Sequence, residues 1–273
     1  VTSYSITRKK DVWGFQNNEM FAFMRLNFKS LVDRRKVNSI FGYNRDFRKY
    51  HVYEANLDPV LRLMHRTGIQ STGWLDTGSE CVRSHLAKVD IDLWCNEWKT
   101  LKPVERDDIA PFVVASVDIE CNSSTGKFPN ADVPGDSCFQ IALSLCRFGN
   151  DEPYEKTCLC YKKTDGPDVV SFETEREMLE AFQKYIQEKD VDVITGWNIF
   201  GFDLEYIFKR AHLTDCHEEF FNLGKLHDPP SDLLLKKLSS SALGDNFLKL
   251  LPMTGRFIFD MFHEVKKGYK LDS

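Results

Sequence analysis

Two acidic residues, Asp118 and Glu120, follow the apolar run 112–117 in the sequence FVVASVDIE. The period-two alternation of a β-strand puts both side chains on one face, about 7 Å apart. Two carboxylates at the end of a buried strand repel each other unless a cation lies between them. Mg²⁺ and Mn²⁺ prefer such oxygen ligands, and paired carboxylates are common in two-metal phosphoryl hydrolysis. The alternative is a strand that ends in solvated acids, and the pair alone favours that alternative.

A third acid, Asp203, stands between a second predicted strand and a predicted helix. The run 191–197 (VDVITGW) has the composition of a buried strand, and LEYIFKRA after Asp203 is helical in pattern. Ligands of open α/β sheets bind near the carboxyl ends of strands, so Asp203 is a candidate for the same site. An ordinary helix N-cap is the alternative, because Asp is a favoured cap residue.

The elements that must position these acids follow from the hydrophobic pattern. Three adjacent strands with short links predict an antiparallel meander, and the later alternation of helix and strand predicts parallel crossovers. The expected fold class is α/β, a mixed sheet with flanking helices. The predicted elements are strands at 112–120, 139–147, 155–163, 191–197 and 255–262 and helices at 172–189 and 203–212, with 227–245 read as a loop or insertion.

The first hundred residues have a weaker mixed α and β pattern. We expect a strand at 21–28, strands around Val52 and Ile91, and a helix from Asp58 to Arg66. A polar, proline-containing stretch precedes the run at 112 and places a boundary near residue 105. The predicted domains are therefore 1–105 and 106–273.

Composition excludes several classes of protein. The chain has 273 residues, of which 42% are hydrophobic and 28% charged, as in ordinary globular proteins and unlike disordered or collagen-like chains. No apolar window is long enough for a membrane span, so we expect no membrane association.

Eight scattered cysteines predict free thiols in a reducing, intracellular compartment. The first hundred residues carry an excess of basic residues, which favours a polyanionic partner.

The motifs around the three acids resemble those of family B DNA polymerases. VDIEC, followed by GKFP and then by Asp136, Gln140 and Ile141, resembles the first exonuclease motif, and DVITGWNIFGFDLEYI resembles the second. The similarity is closest to the polymerase delta type and its relatives in large DNA viruses. It extends to the stretch 53–58 (YEANLD) and to Gly255, Arg256 and Asp260.

The resemblance implies a ribonuclease H-like 3′–5′ exonuclease domain preceded by a smaller mixed α+β domain. In the family, four carboxylates bind two Mg²⁺ or Mn²⁺ ions. Asp118 and Glu120 match the first-motif pair and Asp203 matches the second-motif acid, so these three are the implied catalytic and metal-binding residues. Asn198 and Phe202 match positions that contact the single-stranded 3′ end of DNA. A turn-stabilising Asn and a core Phe are the alternatives for these two.

The sequence departs from the family pattern at two places. Ser137 stands where the family usually has proline, a change expected to affect only a turn. The third motif, Tyr-x-x-x-Asp, is expected only after the stretch that ends at Ser273. We therefore expect a fragment of a replicative polymerase with weak or no exonuclease activity and no polymerase activity of its own.

The resemblance also implies partners and a location. DNA is the expected partner, as a single-stranded 3′ end and a primer–template, with a sliding clamp or accessory subunit in addition. A host nucleus or a cytoplasmic viral factory is the expected location. Two other functions stay open: a non-catalytic nucleic-acid-binding fragment, against which the intact acids argue, and a free-standing ribonuclease H-like nuclease, which has no need of the N-terminal similarity.

Overall fold

The computed structural model describes residues 1–78, 80–227, 232–240 and 244–269. Contacts divide them into two compact units, one of residues 1–77 and 99–106 and one of residues 78–98 and those from 107 onward. The segment 78–98 thus belongs to the second unit by its contacts, while the domain boundaries 1–105 and 106–273 stay a prediction. No helix among the described residues has both the length and the hydropathy that crossing a bilayer requires.

Fourteen strands, six α-helices and one short 3-10 helix (Trp98–Thr100) lie within the described residues. Up to residue 106 they are β1 (Ser3–Lys9), β2 (Phe21–Asn27), α1 (Leu31–Tyr43), α2 (Pro59–Thr67), β3 (Trp74–Asp76), β4 (Val82–Arg83), β5 (Leu93–Trp94) and β6 (Lys102–Val104). After it come β7 (Val113–Cys121), β8 (Cys138–Arg147), β9 (Glu155–Tyr161), β10 (Val169–Phe172), α3 (Glu175–Glu188), β11 (Val193–Gly196), α4 (Asp203–Leu213), α5 (His217–Phe220), β12 (Leu234–Ser240), β13 (Gly244–Leu250), β14 (Phe257–Asp260) and α6 (Met261–Tyr269).

The second unit is built on a six-stranded mixed sheet with the strand order β10-β9-β8-β7-β11-β14. Strands β7, β8 and β9 pair antiparallel, as the short links predicted. Strand β11 runs parallel to both β7 and β14, which confirms the predicted crossovers. The side chains of α3 and α4 that face this sheet are buried with it in one apolar core.

Local sequence explains where the helices begin. The predicted helix 172–189 starts three residues later, because Thr174 is its N-cap and forms a capping box with Glu177. Phe172, the first residue of the predicted helix, instead ends strand β10, which spans 169–172. In the first unit, the helix predicted from Asp58 to Arg66 is α2, which Asp58 caps and in which Pro59 occupies the first turn.

The structure corrects several expectations. The stretch 227–245, read as a loop with a short helix, contributes to the antiparallel hairpin β12–β13, although 228–231 and 241–243 lie outside the described residues. No strand forms around Val52, and the strand near Ile91 is only the pair Leu93–Trp94. Strand β1 and helix α1 were not expected from the sequence. Their patterns are weak because β1 has no buried residue and α1 buries none of its side chains.

The expectation that all cysteines are free thiols is wrong for one pair. Cys81 and Cys95 are joined by a disulfide that closes the segment containing β4 and β5. Scattered spacing could not reveal this pair, because the two cysteines meet only after the chain reverses between β4 and β5. The other six cysteines are unbridged.

A buried ion pair holds the helices against the sheet. Glu175 begins α3 and Arg210 lies in the last turn of α4, with 6% and 3% of their surfaces exposed. Glu175 accepts hydrogen bonds from the Arg210 guanidinium and, at 2.9 Å, from the backbone N–H of Cys138. The same guanidinium donates to the carbonyl oxygens of Ala131, Val133 and Pro134. One side chain therefore ties α4 to α3 and to the loop between β7 and β8.

We expect Arg210→Met to destabilise the fold by about 3–5 kcal/mol, because it leaves a buried carboxylate without its partner. The matched control is Lys184→Met, which breaks the exposed pair with Glu188 on α3 and is expected to change the free energy of unfolding by less than about 0.5 kcal/mol. Urea denaturation of both variants measures the difference. Equal losses in the two variants would contradict the structural role assigned to Arg210.

Candidate functional site

The carboxyl end of β7 presents two acids on its open face. Along Val113–Cys121, buried residues alternate with more exposed ones, and Val117 and Ile119 belong to the buried set. Asp118 and Glu120 belong to the exposed set. The apolar residues anchor the strand in the core, so the strand itself fixes both carboxylates on one side of the sheet.

A glycine allows β11 to approach this end of β7. A Cβ added at Gly196 would lie 2.4 Å from the carbonyl oxygen of Val117 and 2.6 Å from the Cγ2 atom of Ile199. Both distances are too short for any side chain, so only glycine fits where the chain leaves β11. The close approach brings the residues after Gly196 next to Asp118.

Asp203 is the first residue of α4, and its carboxylate is turned into the protein. The N-cap position belongs to Phe202, so the reading of Asp203 as an ordinary cap does not apply. Only 4% of Asp203 is exposed. Burial raises the pKa of Asp203 to about 6; the charges of Asp118 and Asp260 act in the same direction, while backbone N–H groups of Asp203 and Ile119 oppose the shift. Asp203 and Asp118 are therefore electrostatic neighbours.

All five residues singled out from the sequence line one open pocket of about 370 Å³. The acids Asp118, Glu120 and Asp203 form one part of its wall. The pocket is lined by Asp118, Ile119, Glu120, Cys121, Phe128, Pro129, Trp197, Asn198, Phe202 and Asp203. The structure thus brings together residues that are up to 85 positions apart in the chain.

The chemistry of the pocket wall fits a divalent cation. Its three carboxylates are hard oxygen donors, which suit Mg²⁺ or Mn²⁺, and a cation would offset the repulsion that acts on Asp203. Among the described residues, no three His, Cys, Asp or Glu side chains are arranged as a ready metal site. The three carboxylates line one pocket without converging on one point.

Asn198 occupies a tight turn at the edge of the pocket. Its φ angle is 59°, in the left-handed region that Asn tolerates better than most residues. Its carbonyl oxygen accepts hydrogen bonds from the backbone N–H groups of Gly201, at 2.9 Å, and Phe202, at 3.1 Å. A Cβ at Gly201 would lie 2.3 Å from the Oδ1 atom of Asn198, so the amide side chain folds back over that glycine. Asn198 therefore stabilises the turn and lines the pocket at the same time.

Aromatic rings form the rim of the pocket. Phe202 is partly buried against the core and packs on Tyr206, with ring centroids 5.1 Å apart. Phe128 stands edge to face with Phe202 at 5.4 Å and is 79% exposed. In the sequence, Phe128 was identified only as part of the GKFP motif, without a role of its own. Its isolated position in a polar loop was the available signal, because exposed aromatic residues are often used for binding.

A buried carboxylate shapes the loop that carries Phe128. Asp136 is almost fully buried and accepts hydrogen bonds from the backbone N–H of Ser124 at 2.7 Å, from the Ser124 hydroxyl at 2.5 Å and from the backbone N–H of Asn130 at 3.0 Å. These donors, the Ser124 hydroxyl first, hold the pKa of Asp136 below its usual range. These hydrogen bonds therefore fix the loop on both sides of Phe128, at Ser124 and at Asn130.

Comparison with known proteins finds the same family along most of the chain. The family model for the exonuclease domain of DNA polymerase family B matches residues 50–273. A DNA polymerase of Paramecium bursaria Chlorella virus NY2A is 29% identical over 98% of this chain and 30% of its own length. The DNA polymerase delta catalytic subunit of Arabidopsis thaliana is 32% identical over 100% of this chain and 26% of its own.

A third relative, a DNA polymerase of Acanthamoeba polyphaga mimivirus, is 31% identical over 90% of this chain and 15% of its own length. The chain therefore spans less than a third of each of these relatives. The resemblance inferred from the two acidic motifs is confirmed, because a family model that covers residues 50–273 reaches well over half of the chain. The chain belongs to the family B DNA polymerases, through their exonuclease domain.

Proposed function

We propose that this chain carries a metal-dependent 3′–5′ exonuclease that removes mispaired nucleotides for a replicative DNA polymerase. The observation that carries the proposal is the single pocket that contains Asp118, Glu120, Asp203, Asn198 and Phe202. Acids that could hold metal ions and side chains that could hold a nucleotide face the same space. A binding protein without catalysis has no use for three clustered carboxylates, which repel a phosphate backbone.

The three carboxylates are the groups that would hold two Mg²⁺ or Mn²⁺ ions. Bound there, such ions supply an activated water and charge stabilisation of the leaving oxygen in phosphodiester hydrolysis. In this proposal Asp118 and Asp203 would hold one ion together; the charge of Asp118 acts on Asp203, which supports the pairing. Glu120, on the same exposed face of β7 as Asp118, would orient the attacking water. The protein thus contributes negatively charged carboxylates at fixed positions for the metal ions.

The substrate proposed for the pocket is the 3′ terminus of a single DNA strand. A volume of about 370 Å³ is near the lower limit of small-ligand pockets, which suits one terminal nucleotide. The Asn198 amide can bond to a sugar or phosphate oxygen, and the Phe202 and Phe128 rings can stack on or wedge against bases. Stacking is tolerant of sequence, as removal of any mispaired nucleotide requires.

The wider assignments are also proposals. The mixed sheet with acids near the end of β7 and at the start of α4 supports a ribonuclease H-like fold for residues 106–273, preceded by a smaller α+β domain at 1–105. DNA synthesis, a sliding clamp or accessory subunit, and a nuclear or viral-factory location are proposed for the full-length protein that contains this chain. The relatives' descriptions as DNA polymerases support the first of these.

We expect Asp118→Ala to lower Mg²⁺-dependent excision by more than about 100-fold, since loss even of a group that only supports a metal ligand costs 10- to 100-fold. Folding should be unharmed, because the change removes one of several repelling charges. Nucleotide incorporation should persist, since synthesis would use other residues. Primer extension by the full-length protein from matched and mismatched 3′ ends, together with thermal melting, measures all three.

The matched control for this experiment is Asp151→Ala. Asp151 is an exposed acid just beyond β8, and its end of β8 pairs with the start of β7, far from Asp118. The control should excise normally. If Asp118→Ala excises as well as the control, the catalytic proposal is wrong, and a non-catalytic nucleic-acid-binding role takes its place.

We expect Phe202→Leu to weaken binding of a single-stranded 3′ end by about 10-fold, because leucine keeps most of the volume but offers no aromatic face. Phe148→Leu is the control, since Phe148 is exposed at the other end of the sheet. Fluorescence of an oligonucleotide whose 3′-terminal base is 2-aminopurine reports the binding. Equal affinities for the two variants would assign Phe202 to the core alone.

A further inference from the structure

Asp260 is a buried acid outside the pocket wall that bonds to the backbone of the pocket. It is the last residue of β14 and the parallel partner of Gly196 on β11. Only 3% of it is exposed, and it is absent from the residues that line the pocket. The family resemblance names it only as part of a stretch, with no role for its side chain.

Both oxygens of the Asp260 carboxylate accept hydrogen bonds from the turn after β11. The Oδ1 atom accepts from the backbone N–H of Asn198 at 3.0 Å, and the Oδ2 atom accepts from the backbone N–H of Phe200 at 2.9 Å. Oδ1 also accepts from the N–H of Phe262 at 3.0 Å, an ordinary local bond at the start of α6. The first two bonds join positions 62 and 60 residues apart and cannot be explained by capping.

These two bonds fix the turn through the backbone N–H groups of Asn198 and Phe200, which take no part in the hydrogen bonds within the turn. Within the turn, the carbonyl oxygen of Asn198 already accepts from the N–H groups of Gly201 and Phe202. The N–H groups of Asn198 and Phe200 point the other way, towards Asp260. Buried donors of this kind need an acceptor, and a carboxylate can only accept.

We propose that Asp260 is a positioning residue for the exonuclease site, which fixes the turn so that Asn198 and Phe202 face the 3′-terminal nucleotide. The inference rests on the proposed function, because it assigns Asn198 and Phe202 to the substrate. Asp260 acts through the backbone and touches neither DNA nor metal. Its loss should therefore weaken recognition of the strand terminus more than it weakens the fold.

The substitution Asp260→Asn separates this role from helix capping. Asparagine caps helices about as well as aspartate does, so the local bond to Phe262 can persist. Its amide nitrogen cannot accept a hydrogen bond, so either Asn198 or Phe200 loses its acceptor. Asp260→Ala removes all three bonds and should give a larger effect; if that variant does not fold, Asp260→Asn still gives the answer.

The matched control is Asp192→Asn at the opposite end of β11. Asp192 is a partly buried acid that accepts a hydrogen bond from the backbone N–H of Val113 at 2.8 Å and pairs with Lys225. It bonds across the sheet as Asp260 does, but it lies away from the pocket. A loss of stability without an effect on DNA is the expected result for this control.

The test measures two quantities on the full chain without divalent metal. The first is amide hydrogen exchange at Asn198 and Phe200, and the second is the affinity for a single-stranded oligonucleotide with 2-aminopurine as its 3′-terminal base. Asp260→Asn should speed exchange at one or both amides and weaken terminal binding by about 10-fold, while Asp192→Asn leaves both unchanged.

Equal terminal affinity in wild type and Asp260→Asn would overturn the inference, even if exchange becomes faster, because Asp260 would then be only structural. Unchanged exchange at both amides would overturn it as well. If the wild-type chain itself does not bind the 3′ terminus, the proposed function fails first. That failure is distinct, because it is visible without any Asp260 variant.

Discussion

Repulsion among carboxylates at the end of β7 is the constraint on which the rest of the second unit depends. Asp118, Glu120 and Asp203 face one pocket, and Asp203 is buried there at a cost that its raised pKa reflects. Carboxylates that no surrounding structure holds together separate and become solvated. The fold prevents this because β7 is anchored by its buried residues and because Gly196 lets β11 approach the carbonyl oxygen of Val117.

Buried polar groups around the pocket keep both of its walls in place. The Asp136 carboxylate accepts hydrogen bonds from backbone N–H groups of the loop that carries Phe128. The Asp260 carboxylate accepts them from backbone N–H groups of the turn that carries Asn198. The pair of Glu175 and Arg210 joins the first of these loops to α3 and α4. Each of these groups bonds to backbone atoms, so the positions of the walls do not depend on flexible side chains at the surface. A pocket held in this way is preorganised for a charged substrate.

The sequence predicted the parts of the fold whose signals are local. Alternation along β7, the helix at Asp58 to Arg66 and the strand-to-helix change before Asp203 are all readable from neighbouring residues, and the structure has each of them. The hairpin β12–β13 was misread, because none of its described side chains, at 234–237 and 247–250, is buried and the strands therefore lack a clear apolar pattern. The roles of Asp260 and of the Cys81–Cys95 pair depend on contacts between distant positions, which spacing alone cannot show. The exposure of Phe128 likewise follows from the folded loop.

The central claim is that the carboxylates of this pocket act together as a divalent-metal site. Titration of the chain with Mn²⁺, followed by electron paramagnetic resonance, tests it most directly, with Asp203→Asn as the variant and Asp192→Asn as the control. Asp203→Asn removes the buried charge with little change in shape. We expect saturable Mn²⁺ binding in the wild-type chain and in Asp192→Asn, and loss of that binding in Asp203→Asn. Equal Mn²⁺ affinity in all three proteins would contradict the account.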